Sequence, residues 1–358
     1  MTNPPVQLAV IGCGNFARSQ HLPNLRHLPE ARLAAVCDTH APTAQSAAQT
    51  FAAGYATTEL RDILNDDNIE AAVVAVRDDL QADIATALLQ SGKHVYVEKP
   101  GATRDADFQK LIQARDQSDR LAVVGMQKRF SPAYRAVKAA FEHSGAPRNI
   151  FSRMADDAWR WAKGYPPGAL IRHDACHLFD LLRLFTGSEV KTLHCLDSRP
   201  DDDAILIGFE NGATATLLHS GHASMDFPKE RFEAITDRGG VIMDDFVEVR
   251  VLGHPQLPAR QTFSLIDPRS GDPIPDVEGL DDFLRLRRQA WQDWTEKGGI
   301  PKVIPNFLRD QGWRESLREF CAAIRNGNPH PPHASLEDAR AASRIATLAE
   351  ESRTRLGR

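Results

Sequence analysis

The sequence predicts two architectures in one chain: a doubly wound α/β domain with a parallel sheet, then an α+β domain with a mostly antiparallel sheet. Three observations carry this. Short apolar runs alternate with segments of helical spacing through the first third, which is the grammar of βαβ units. The first of those runs ends in a glycine-rich turn that opens a helix. Beyond about residue 125 the alternation gives way to hairpin-like strand pairs and further helices. With 358 residues the chain is long for one core and comfortable for two, and the change of grammar divides it into 1–125 and 126–358.

In the first part, Val6–Ile11, Leu33–Cys37, Ala71–Val76, Val95–Val97 and Leu121–Val124 read as buried parallel strands. Helical spacing fills the gaps around Phe16–Leu28, Thr43–Ala53, Ala82–Ser91 and Asp105–Ser118. A short strand near Tyr55–Ala56 and a helical Glu59–Leu64 complete the set. In the second part a helix from Pro132 to His143 leads into an aromatic run, Trp159-Arg160-Trp161-Ala162-Lys163-Gly164-Tyr165. A second helix spans roughly Asp174 to Phe185 and stops at Gly187. Ala204–Glu210 and Ala213–His219 flank Asn211-Gly212 and read as a hairpin whose Asn-Gly pair supplies positive φ angles. Arg231–Thr236, Val241–Met243 and Val247–Leu252 read as further antiparallel strands, and Trp313–Arg325 and Leu336–Arg355 as helices. Asp267–Glu278 reads as a loop.

Composition excludes several function classes. A net charge of −5 gives no electrostatic reason to expect nucleic acid. No apolar run is long enough to span a bilayer, and the first residues do not form a signal peptide, so no membrane partner is expected. The five cysteines are scattered and lack CxxC spacing, which predicts reduced thiols in a cytoplasm and neither a disulfide framework nor a zinc site. There is no G-x-S-x-G elbow and no P-loop lysine, which argues against hydrolase and kinase chemistry.

The first strand runs into Gly12-Cys13-Gly14-Asn15-Phe16-Ala17, a G-x-G-x-x-A pattern. Gly12 permits a tight turn, Gly14 lets the backbone approach a pyrophosphate, and Ala17 keeps the helix close to the strand. The helix start, at Asn15 and Phe16, offers N–H donors to the anion. Asp38 closes the second strand, where a carboxylate accepts hydrogen bonds from ribose hydroxyls and repels a 2′-phosphate. Together they predict a Rossmann domain that binds NAD, with NADP or dual use left open. The competing reading is a glycine turn that binds nothing, with Asp38 as a helix cap.

A second informative segment is Val95-Tyr96-Val97-Glu98-Lys99-Pro100, an apolar strand that ends in Glu-Lys-Pro. The carboxyl ends of strands in an open α/β sheet face the ligand crevice. Pro100 stops the strand and constrains Lys99, placing a cation where it could polarise a substrate or relay a proton. Otherwise Lys99 is a solvated charge at a strand end.

On these motifs the chain resembles the Gfo/Idh/MocA oxidoreductases. The match rests on Gly12–Ala17, Ala35-Val36-Cys37-Asp38, Gly92 to Pro100, and Pro167-Gly168-Ala169-Leu170-Ile171-Arg172-His173-Asp174-Ala175-Cys176-His177-Leu178-Phe179-Asp180. Fainter echoes are His21-Leu22-Pro23, Gly125-Met126-Gln127-Lys128-Arg129-Phe130 and the C-terminal Phe320 to Ala339. The resemblance implies an NAD(P)-binding Rossmann domain and a C-terminal domain whose open sheet packs in a homodimer or homotetramer. It implies reversible oxidation of a secondary alcohol on a sugar, cyclitol or related polyol. It sets Lys99 in the role of the family's lysine and His177 in that of its acid/base histidine, with Glu98 and Lys99 beside the cofactor and a cis bond before Pro100. Two departures stand out: His173 occupies the aspartate position of D-x-x-x-H, and Val76-Arg77-Asp78 stands where Thr-Pro-Asn is usual.

Hydride removal from a carbinol also requires removal of the hydroxyl proton, which suits a histidine. On one helix, His173 and His177 are four apart and Asp174 and His177 three apart, so either neighbour can support His177. The opposing reading makes the histidines hydrogen-bonded core residues. A two-histidine metal site lacks the glutamate of H-E-x-x-H and a third ligand, so no metal is expected. Asp180 reads as a packing acid. The aromatic run, with Trp159 and Trp161, borders the substrate or else packs under a loop. Arg172 meets a substrate carboxylate or caps a surface, and Arg129 is placed on the substrate side. The expected function is an NAD-dependent dehydrogenase of CH–OH groups. The rivals are a glycosidase-type enzyme that uses NAD for transient oxidation and a non-catalytic NAD-binding regulator.

Overall fold

A computed structural model describes residues 4–196, 199–267, 270–298 and 308–356. The chain forms two compact units: Met1–Arg129 with Pro268–Gly271 and Gly312–Ala341, and Phe130–Asp267 with Asp272–Gln311 and Ala342–Arg358.

The first unit is built on six strands: β1 (Val6–Ile11), β2 (Ala31–Cys37), β3 (Tyr55–Thr57), β4 (Ala71–Val74), β5 (His94–Val97) and β6 (Ala122–Val124). All pair in parallel, in the order β3-β2-β1-β4-β5-β6. β4 is buried at every position and β1 at all but one, because helices cover both faces of the sheet and an unbroken apolar run is then what each strand must supply. The order reverses between β1 and β4, which opens a crevice at the carboxyl ends of those strands. The intervening helices are α1 (Leu22–Arg26), α2 (Ala41–Phe51), α3 (Leu60–Leu64), α4 (Asp78–Gln90) and α5 (Asp105–Ser118). α4 starts four residues earlier than its apolar spacing suggests. Its first turn carries Asp78 and Asp79, which periodicity cannot see but which suit the positive end of a helix.

The second unit contains α6 (Pro132–Ser144), β7 (Asn149–Ala155), α7 (Ala158–Trp161), α8 (Leu170–His173), α9 (Cys176–Thr186), the strands β8 (Val190–Cys195), β9 (Asp202–Phe209), β10 (Thr214–Ser220), β11 (Glu230–Thr236), β12 (Gly239–Asp244), β13 (Glu248–Leu252) and β14 (Arg260–Thr262), and α10 (Gly279–Lys297). α11 (Trp313–Asn326) then belongs to the first unit, and α12 (Leu336–Leu356) ends the described chain. In the first unit Leu317, Phe320 and Cys321 of α11 enter the core formed by Leu8, Val10 and Tyr96, so a late segment completes an early sheet. The second sheet is open, ordered β14-β13-β12-β11-β7-β10-β9-β8, and antiparallel except for β7 with β10. Its inner face packs on an aromatic cluster of Tyr134, Phe141, Phe185, Phe232 and Phe246. Leu206, Leu218, Ile235 and Leu252 are exposed. Among the described residues no helix is long and apolar enough to cross a membrane.

Three local readings change. The β9–β10 connection is not a two-residue turn: only Gly212 takes a positive φ, of 87°, while the Asn211 side chain accepts the Ala213 N–H at 3.0 Å and closes the loop itself. The helix expected over Asp174–Phe185 is α9, which starts two residues later, and a separate short α8 precedes it across Asp174–Ala175. β7, β8, β14 and α10 have no counterpart in the sequence reading. In β7 the inward Ser152 and the outward Phe151 dilute the alternation that would have marked it.

Candidate functional site

The phosphate loop leaves β1 at Gly12, with φ of +89°. A Cβ there would lie 2.4 Å from the Ala75 carbonyl oxygen of the neighbouring strand, so only glycine fits. Gly14 has open space where a Cβ would be, and Gly14 and Asn15 are exposed. A chain anion can thus reach the backbone N–H groups between Gly14 and Ala17. The helix behind the loop begins with a wide turn over Ala17–His21 before settling into α1. Ala17 is buried against the sheet, and Phe16 packs edge-on to His21 and Trp313. Asp38, just beyond β2, accepts the Cys13 N–H at 2.8 Å with one oxygen and the His40 N–H at 2.9 Å with the other. Its carboxylate is therefore locked beside the loop, leaving lone pairs for two ribose hydroxyls. Cys13 is fully buried below the loop, and burial pushes its thiol up to about 12. These residues fit a dinucleotide: glycine where backbone must approach, N–H donors for the pyrophosphate, and a fixed acid for the ribose.

Lys99 follows β5, with a cis bond to Pro100. Its turn is held by Gln81 of α4, whose amide donates to the Lys99 and Val76 carbonyls at 3.2 Å each and accepts the Gly101 N–H at 2.9 Å. Glu98, 4% exposed, pairs with the wholly buried His21 at 2.9 Å and accepts the Lys99 N–H at 3.2 Å. A Cβ at Gly125 would meet that carboxylate at 2.8 Å. Gln81 and His21 are thus the supports of the Glu-Lys-Pro turn, and nothing in residue spacing announces Gln81. Arg77, at the start of α4, pairs on the surface with Asp79 at 2.9 Å. Arg129 is drawn into the same unit, where it meets Asp338 at 3.2 Å and the His333 carbonyl at 3.3 Å.

In the second unit His177 lies in the first turn of α9 and is 4% exposed. Its backbone N–H donates to the Asp174 carbonyl at 3.4 Å across the break between α8 and α9. His173 closes α8 and packs at a tilt against Tyr165, with ring centroids 4.5 Å apart, and lies 6.1 Å from the Trp161 ring. The premise that His173 and His177 share one regular helix therefore fails, because the chain at Asp174–Ala175 leaves the regular i to i+4 ladder. Asp180 is buried in α9. Trp159 donates its indole N–H to the Ala223 carbonyl at 2.8 Å and packs with Trp291 and Trp294 of α10. Trp159 and Trp161 remain over a third exposed. Arg172 is clamped by Glu350 and by the Thr347 hydroxyl at 3.1 Å, both from α12. Sequence reading missed Lys229, which bonds Asp156 and lies 4.0 Å from Asp174. Its segment, Asp226-Phe227-Pro228-Lys229, has no motif to draw the eye.

No group of three or more metal-ligating side chains suited to an ion occurs among the described residues. Residues 6–126 match the model of an oxidoreductase family with an NAD-binding Rossmann fold, and residues 133–242 match the Gfo/Idh/MocA C-terminal domain. The chain belongs to the Gfo/Idh/MocA oxidoreductase family. Its first unit carries that family's NAD-binding Rossmann fold. Inositol 2-dehydrogenase 2 of Saccharopolyspora erythraea is 30% identical over 246 residues, 67% of this chain and 65% of that protein's length. Myo-inositol 2-dehydrogenase of Thermotoga maritima is 23% identical over 69% of this chain and 78% of its own. Scyllo-inositol dehydrogenase of Lactobacillus casei, solved with NAD(H) and scyllo-inositol, shares the fold with a TM-score of 0.74 at 17% identity, over 98% of this chain and 97% of that one.

Proposed function

We propose that the protein is an NAD-dependent dehydrogenase that reversibly oxidises a secondary alcohol of a cyclitol, sugar or related polyol. The observation that carries this is the Lys99 turn at the carboxyl end of β5, braced by Gln81 in the same unit as the locked Asp38. The inositol dehydrogenases among its relatives support the substrate class. NAD, when bound, accepts the hydride. Gly12, Gly14, Asn15, Phe16 and Ala17 hold its pyrophosphate and Asp38 its ribose, with Glu98 steadying Lys99. Lys99 hydrogen-bonds the reacting oxygen, and His177 takes the hydroxyl proton, supported by Asp174 or His173. Trp159 and Trp161 offer ring faces to the apolar face of a cyclic polyol. Arg129 and Arg172, proposed for the substrate side, already hold acidic partners. The exposed Leu206, Leu218, Ile235 and Leu252 support a homodimer or homotetramer.

The test is a panel of inositols, monosaccharides and glycosides with NAD and NADP, read at the absorbance of reduced nicotinamide. Reduction of NAD by at least one polyol is expected. In Lys99→Ala, kcat should fall by about 10²- to 10⁴-fold with NAD affinity retained. Tight NAD binding without reduction by any member of the panel would sink the dehydrogenase, and cleavage of a glycoside without net NADH would replace it with a transient-oxidation enzyme.

A further inference from the structure

The geometry points to Lys229 as a positioning residue that fixes the Asp174 turn in front of His177, an inference that rests on the proposed role of His177. Lys229 precedes β11, and its backbone is held on both sides. Its carbonyl accepts the Ala155 N–H at 2.7 Å, at the end of β7, and its own N–H donates to Asp245 at 3.2 Å. Asp245 is itself pinned by the Glu230 N–H at 2.9 Å and by the buried Arg309 guanidinium at 2.8 Å. This anchoring delivers the ammonium group to two carboxylates. One is Asp156, the first residue past β7 and 5% exposed, which Lys229 bonds directly. The other is Asp174, whose Oδ2 lies 4.0 Å away. Asp174 occupies the break between α8 and α9, and its carbonyl receives the His177 backbone N–H.

A break in a helix is free to move unless something outside the helix fixes it. The cation supplies that tie, and the two carboxylates in turn keep the cation charged. Burial alone would push the Lys229 ammonium down, yet Asp156 and Asp174 together hold it above the usual lysine range. Asp156 lies below the ordinary carboxylate range although burial opposes this, because Lys229 faces it. His173, the other neighbour of His177, is by contrast committed to the Tyr165 and Trp161 rings. Lys229 thereby favours Asp174 over His173 as the neighbour that orients His177.

The experiment uses the full chain as wild type, Lys229→Met and Lys229→Arg. It reads amide hydrogen exchange across residues 170–180, and kcat and KM with NAD and whichever panel polyol the wild type oxidises. Lys229→Met is expected to speed exchange at 174–177 and to lower kcat by about 30-fold, leaving KM for NAD within about twofold. Lys229→Arg, which keeps the charge, should restore most of both. Unchanged exchange with kcat within about threefold of wild type overturns the proposal, as does a loss that arginine fails to rescue. A wild type that oxidises no polyol counts against the proposed function alone, and exchange at 174–177 then decides the role of Lys229. If Lys229→Met does not fold, Asp174→Asn removes the other end of the same contact. It should give the same faster exchange and lower kcat, and wild-type values for both would overturn the proposal.

Discussion

Asp38 illustrates how much one side chain can be asked to do. Both of its oxygens are engaged by backbone N–H groups, from Cys13 and His40, so it orders the phosphate loop before any ribose arrives. Asp38→Ala removes a charged acceptor from the cofactor and from the loop together. Charge-assisted hydrogen bonds contribute about 1.5–3 kcal/mol, so NAD should bind roughly 10- to 100-fold more weakly. Asp38→Asn keeps an acceptor for Cys13 and should lose less, and titration of NAD by fluorescence separates the two. At this scale the sequence was most legible where a residue's job follows from chain geometry. Gly12, Gly14 and Asp38 could be picked out because a turn, a close approach and a strand end leave few alternatives. Gln81 and Lys229 were illegible, because each acts on a partner 18 or 73 residues away and carries no local signature, and the motif around His21 said nothing of its partner Glu98, 77 residues on.

At the level of elements, strands buried on both faces were readable from their apolar runs, and β1 and α5 fall where expected. Strands covered on one face were harder. β7 lies at the centre of the second sheet yet reads weakly, since pairing with β10 and β11 rather than its own composition makes it a strand. The break between α8 and α9 separates His173 from His177, while α12 and Lys229 hold the chain at Arg172 and Asp174. Arg172 belongs to this level. Its guanidinium is a strut from α8 to Glu350 and Thr347 of α12. A partly exposed pair of this kind contributes about 1 kcal/mol at most. Arg172→Ala should therefore lower the melting temperature by a few degrees, about 2–4 °C, and change KM for the polyol by less than about threefold. A rise in KM of tenfold or more would return Arg172 to the substrate.

For the whole molecule, histidines held neutral by burial weaken the fold in acid. Burial pushes His333 down to about 4, and its Nε2 donates to the Ser316 carbonyl at 2.8 Å. His94 is also pushed down to about 4 by burial. A histidine whose folded value lies below its unfolded one binds its proton more readily after unfolding. It stabilises the fold fully above about pH 6.5, and that stability is lost as pH falls toward 4. Between pH 7.5 and pH 5, His333 alone accounts for about 2 kcal/mol. Urea unfolding at those two pH values should show this loss in the wild type and a smaller one in His333→Gln. A wild type equally stable at both would show that His333 does not weaken the fold in acid. The path of the chain has a consequence for synthesis. Leu317, Phe320 and Cys321 complete the core of a sheet whose last strand ends at Val124, nearly two hundred residues earlier. A ribosome that has released residues 1–129 has made six strands but not the helix that seals them. The nucleotide-binding unit therefore closes only once the helix Trp313–Asn326 has been made, and expression of the N-terminal fragment alone should yield an aggregation-prone, apolar-faced sheet.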